Sequence, residues 1–150
     1  MEPALRARML FHGIVVILLG LLAGIPFALV ISGDLVGELR AWRMAHLEGV
    51  LNGLVVLAVA ALGGVLSLSA VQQRWLAASL IVAAYANVVA SVVGATFGVR
   101  GLEPSDPASN LLVFALFALA IVGVLLGLGL AAWGARRWLK EERGAQETSR

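Results

Sequence analysis

"LLVFALFALAIVGVLLGLGLAAWGA", residues 111–135, carries no ionisable side chain. A hydrocarbon core of roughly 30 Å is crossed by about 20 apolar residues at the helical rise, so this stretch reads as a transmembrane helix. Working back along the chain, the same criterion finds three more runs, near residues 9–31, 44–69 and 75–99. The composition agrees. Of 150 residues, 61% are hydrophobic and only 13% charged, and the mean hydropathy of +0.96 lies outside the range of soluble domains. The 17 Gly and four Trp suit helices that approach closely in lipid, where packing replaces the hydrophobic drive available in water.

The expectation is an all-α fold, an integral membrane four-helix bundle forming one domain, with residues 136–150 as a polar tail. The first run is too long for a signal-peptide core and lacks a small-residue cleavage site, so it reads as a permanent span that Pro26 kinks. "SGDLVGELRAWR" links the first two spans, "AVQQR" reads as a tight turn between the second and third, and "RGLEPSDPASN" links the third to the fourth. The tail "ARRWLKEERGAQETSR" reads as a solvated helix end that frays, with Trp138 at the interface.

Charge gives an orientation. Arg6, Arg8, Arg74, Arg136, Arg137, Lys140, Arg143 and Arg150 fall on one side, against Arg40, Arg43 and Arg100 on the other. Both termini are therefore expected in the cytoplasm, the bilayer being the inner membrane of a bacterium. The net charge of +2 is too small to imply nucleic acid, and the lack of cysteine excludes disulfides, iron–sulfur clusters and thiol nucleophiles. The two halves show no internal repeat of the kind that builds transporters.

Within the spans the polar inventory is short. The fourth has none that is ionisable, and its Gly123, Gly127 and Gly129 read as packing contacts. The first holds His12, the second His46, Glu48 and Asn52, the third Tyr85, Asn87, Ser91 and Thr96. An unpaired polar group in lipid costs several kcal/mol, so each is a candidate site residue. On the second span, Gly49, Asn52 and Gly53 form a stripe with His46 above it. Two readings are open. A flat macrocycle such as haem would need glycines beneath it and an imidazole nitrogen above. The alternative, which geometry alone favours, is a small-residue helix contact with His46 hydrogen-bonded to a neighbour. On the third span Asn87 and Ser91 share a face, so Asn87 and Asn52 converge or simply bond across the helices. Glu48 reads either as an ion pair with Arg40 or Arg43 or as a site residue. His12 reads as a capping or hydrogen-bonding residue rather than a ligand.

No H-E-x-x-H, G-x-S-x-G, phosphate loop or histidine–carboxylate metal cluster is present. Triad hydrolysis and transmembrane proton relay lack the residues they need.

The pieces "HGI" at His12 with a following "LLAG", "WRMAHLEGVLNG" from Trp42, "YANV" from Tyr85 and "RGL" at Arg100 make the chain resemble the small four-helix membrane isomerases that include styrene oxide isomerase and hydroxylaminobenzene mutase. The spacing A-H-x-x-G-x-x-N-G is the most specific part. The resemblance implies a ferric haem b held between subunits of a homotrimer, with His46 as axial ligand to the iron and Gly49 and Gly53 making room for the porphyrin. Asn52 and Asn87, with Glu48 and Ser91, would line the pocket of a small aromatic substrate arriving through the membrane lipid. The iron would act as a Lewis acid without net electron transfer.

The implied reaction is either conversion of hydroxylaminobenzene to 2-aminophenol or the Meinwald rearrangement of an epoxide to an aldehyde. The epoxide isomerases carry a tyrosine four residues after the A-N asparagine, where this chain has Ser91, and a tryptophan where it has Tyr85. "HLEG" and "YAN" with a small hydroxyl residue resemble the mutases, whereas "HGI", "WRMAH" and "RGL" suit the epoxide isomerases. A non-enzymatic haem protein or structural membrane subunit is the reading from another class.

Overall fold

The computed structural model describes residues 1–148 and is built of helices, with no strand among those residues. Helix α1 spans Pro3–Ser32, α2 Leu39–Ala61, α3 Ala70–Phe97 and α4 Ala108–Thr148, with a single 3₁₀ turn at Leu62–Val65. All four are long and apolar enough to cross a membrane, and the protein is an integral membrane protein. Outward faces are correspondingly greasy. Phe11, Ile14, Leu18, Leu21 and Ile25 of α1 are each more than half exposed and recur at helical spacing, a surface suited to lipid.

Local chemistry sets the helix ends. Pro3 stands in the first turn of α1, where its missing N–H is no loss. Gly33, at φ 83°, ends that helix in the left-handed conformation and returns its N–H to Val30 O. Pro26 lies inside α1, which continues through it as one element. The stretch "AVQQR" is not a turn: Ser69 and Gln72 form a reciprocal capping box, so those residues are the first turn of α3. The connection instead runs through the 3₁₀ turn and residues 66–69. Beyond Ala135 the expected fraying is also absent, and α4 continues to Thr148. There Glu141 pairs with Arg137 at 3.7 Å and accepts a bond from Ser67 Oγ at 2.6 Å. Arg150 lies outside the described residues.

Glycines draw the helices into two close pairs. A Cβ on Gly20 would lie 2.8 Å from Gly49 Cα, and one on Gly53 would lie 2.6 Å from Gly13 O, so α1 and α2 touch backbone to backbone. Gly123 meets Ser79 O and Gly127 meets Leu80 in the same way, seating α4 on α3, while Gly129 faces open space and is no packing contact. Met9, Val16, Val56, Leu76 and Leu80 fill the core where the pairs join. A second small cluster of Ala23, Trp42, Ala45 and Ala95 closes the opposite end.

Candidate active site

His46 stands two turns into α2, half-buried against α1. Its Nδ1 lies 2.9 Å from Gly20 O. A carbonyl only accepts, so Nδ1 carries the proton, and in the neutral ring Nε2 keeps its lone pair. Two further residues of α1 fix the ring. Gly24 leaves room, since a Cβ there would stand 3.0 Å from Nδ1. Phe27 stacks on the imidazole with ring centroids 6.3 Å apart and planes 14° apart. Among the described residues Nε2 has no hydrogen-bond partner.

The glycine stripe below His46 serves the bundle and not a ligand. Gly49 meets Gly20, and Gly53 meets Gly13 and Ile17, so helix α1 occupies the room that Gly49 and Gly53 were expected to leave for a porphyrin. Of the two open readings, the helix contact describes these glycines.

Two residues further along an α-helix is a rotation of about 200°, which turns Glu48 to the opposite side of α2 from His46. There it accepts a hydrogen bond from Ser91 Oγ of α3. It makes no ion pair with Arg40 or Arg43: the ion pair among the described residues is that of Arg137 with Glu141. Helices α2 and α3 are consecutive and antiparallel. The register that joins Glu48 to Ser91 therefore sets Asn52, four residues on, level with Asn87, four residues back. The two carboxamides do not bond each other. Asn52 Nδ2 donates to Glu48 O at 2.8 Å, one turn back in its own helix. Asn87, half-buried, has no hydrogen-bond partner among the described residues. The α2–α3 seam thus holds a two-rung polar ladder inside the membrane, with its deeper rung left open.

Above the ladder lies a cavity of about 340 Å³ between α2, α3 and α4, walled in part by Met44, Glu48, Ser91, Gly94, Arg100 and Phe117. The loop that contributes Arg100 is held by Asn110. Its Oδ1 accepts from Gly101 N–H at 2.8 Å and its Nδ2 donates to Glu103 O at 3.0 Å. His12 sits apart from both groups, its Nδ1 3.0 Å from the Tyr85 hydroxyl on α3, in keeping with a hydrogen-bonding role.

Sequence reasoning missed the partners of His46. Gly20 and Gly24 lie on one face of α1 and Phe27 follows a turn later, a small-small-aromatic spacing that points to a ring seated against a helix backbone. Phe117, in a span otherwise read as packing alone, was missed as a cavity wall because an apolar residue among apolar residues gives no signal.

Residues 5–136 match the sequence family described as styrene oxide isomerase. The chain is also 30% identical over 144 residues to the hydroxylaminobenzene mutase HabB of Ectopseudomonas oleovorans, a match covering 90% of this chain and 84% of that protein. With a family match spanning all four helices, and a relative aligned nearly end to end, this chain belongs to the styrene oxide isomerase family.

Proposed function

We propose that this protein is a haem b-dependent membrane isomerase that rearranges a small aromatic substrate without net oxidation. The reaction we favour is conversion of an arylhydroxylamine to an ortho-aminophenol. The observation that carries the reading is the His46 ring. A metal-bound histidine characteristically donates its other ring N–H to a backbone carbonyl or carboxylate, which fixes the tautomer and strengthens the ligating nitrogen. His46 has that arrangement with Gly20 O, and its Nε2 is without a partner among the described residues. The donor set therefore fits haem iron: His46 Nε2 would hold it, with Phe27 and Gly24 positioning the ring and Gly49 and Gly53 taking no part.

Ferric haem b, when bound, supplies a Lewis acid toward the oxygen of the substrate. The remaining work falls to side chains of the ladder. Asn87 offers a carboxamide with all its hydrogen-bonding capacity available, and Asn52 keeps its Oδ1 available while its Nδ2 is held by Glu48 O. Together they orient a substrate that brings N–H and O–H groups. The Ser91 hydroxyl hydrogen is committed to Glu48, so the pair accepts from a substrate and has no short donor for an epoxide oxygen. The N–H donors for an epoxide oxygen are then left to Asn87, whereas the hydroxylamine's own N–H and O–H find acceptors on Glu48, Ser91 and Asn52, which favours the hydroxylamine over the Meinwald reaction.

His46 and the ladder lie on opposite sides of α2, so for both to face one haem they would have to come from different copies, as in a homotrimer with haem between subunits. Substrate reaches the site through the membrane lipid. Both termini face the cytoplasm across the inner membrane of a bacterium, as the Lys and Arg distribution argues.

The test is turnover per haem of the purified protein. Hydroxylaminobenzene should give 2-aminophenol, styrene oxide should react poorly, and Ser91→Tyr should gain epoxide activity. Rapid aldehyde formation from styrene oxide, with no aminophenol from the hydroxylamine, reverses the assignment of substrate. Activity on neither compound removes it.

A further inference from the structure

The cavity above the ladder differs from the rest of the membrane-embedded surface in carrying charge. Glu38 and Arg40, at the start of α2, and Arg100, after α3, line it with side chains that belong to exposed residues. Glu48 and Ser91 line it within the helical spans, and Met44 and Phe117 add apolar wall. Ionisable groups within transmembrane helices face protein or a water-filled cavity and not lipid. A volume of about 340 Å³ falls within the range of small-molecule sites and accommodates a single aromatic ring.

We propose that this cavity is a water-connected binding site for a small arene bearing N–H or O–H donors, reached from the aqueous end marked by Arg40 and Arg100. Its selectivity follows from the Glu48–Ser91 bond. With the Ser91 hydrogen given to the carboxylate, the inner wall presents lone pairs, which a donor-bearing ligand satisfies and an acceptor-only ligand does not. The inference rests on the role given above to Glu48 and Ser91 and adds to it a route. The substrate enters from the lipid, and the charged rim lets the more polar aminophenol exchange with water.

The absence of native cysteine makes the test clean. Met44→Cys and Ala41→Cys place single thiols on the cavity wall, and Val89→Cys places one in the apolar, lipid-facing groove beside Trp42 and Pro26. In membrane vesicles of either sidedness, a charged, membrane-impermeant methanethiosulfonate should label the first two from the Arg40 and Arg100 side and leave Val89→Cys unlabelled. Saturating 2-aminophenol should slow labelling of Met44→Cys about ten-fold, as expected for a site occupied about nine-tenths of the time. Its acceptor-only analogue 1,2-dimethoxybenzene should not, and Glu48→Gln should remove the protection. Thiols at both Met44 and Ala41 that react only with an uncharged reagent overturn the water connection. Equal protection by the two arenes, or by neither, overturns the site. None of these readouts uses turnover, so an inactive enzyme would sink the isomerase reading without touching this one.

Discussion

His46 and Gly20 are joined across the α1–α2 contact by an imidazole Nδ1–H that donates to a backbone carbonyl at 2.9 Å. The bond links packing to chemistry. Gly20 can offer its carbonyl at that distance because it and Gly49 let the two helix backbones touch, and the bond then decides which histidine nitrogen is left over. Any substitution that separates α1 from α2 should therefore change the histidine as well as the fold.

Gly49→Val tests that coupling. A side chain there meets the Gly20 backbone, which has no flexible end to move aside. Overpacking of this kind costs about 1–3 kcal/mol. The variant should unfold at lower temperature in detergent and lose haem along with stability, whereas Gly129→Val, which faces open space, should do neither. Equal thermal stability of Gly49→Val and wild type would contradict the contact.

The open rung of the ladder predicts a different pattern. Asn52→Ala and Asn87→Ala should lower turnover by about ten-fold or more with haem content nearly intact, since one lost orienting hydrogen bond is worth on the order of 1.4 kcal/mol or more. Haem content measured beside activity distinguishes the cases. Haem lost in proportion to turnover would mean that the asparagines hold the bundle together and not the substrate.

How far the sequence could foresee this depends on the residue. The four spans were legible because a membrane crossing is written as length and apolarity, and both are local properties. Their ends were less so. "AVQQR" looks like a turn by composition, yet the Ser69–Gln72 capping box makes it helix, and the polar tail is helical because Glu141 finds Arg137 and Ser67. The site divided the same way. His46, Glu48, Asn52, Asn87 and Ser91 could be picked out because polar groups are rare in lipid. Which of them meet could not, because a GxxxG-like stripe can seat either a helix or a flat ligand. Only the place of α1 shows that the stripe holds a helix, turning His46 one way and Glu48 the other.

That division predicts complementation between impaired chains. If His46 of one subunit works with the ladder of its neighbour, co-expressed His46→Ala and Asn87→Ala chains should form mixed trimers. One of the three interfaces in every mixed trimer would then combine an intact histidine with an intact asparagine. Activity should return toward that fraction of wild type in the mixed trimers, measured per trimer by pulling down a tagged chain. No recovery in verified mixed trimers would place both residues of one site in a single subunit.

The most direct measurement is the visible absorption spectrum of detergent-purified wild type beside His46→Ala, with haem identified by its pyridine haemochrome. The wild type should show the Soret band of a b-type haem, and the variant should lose it while remaining folded by its helical circular dichroism and elution volume. A Soret band that survives the substitution unchanged, or a wild-type protein that isomerises its substrate with no haem at all, would contradict the assignment of His46.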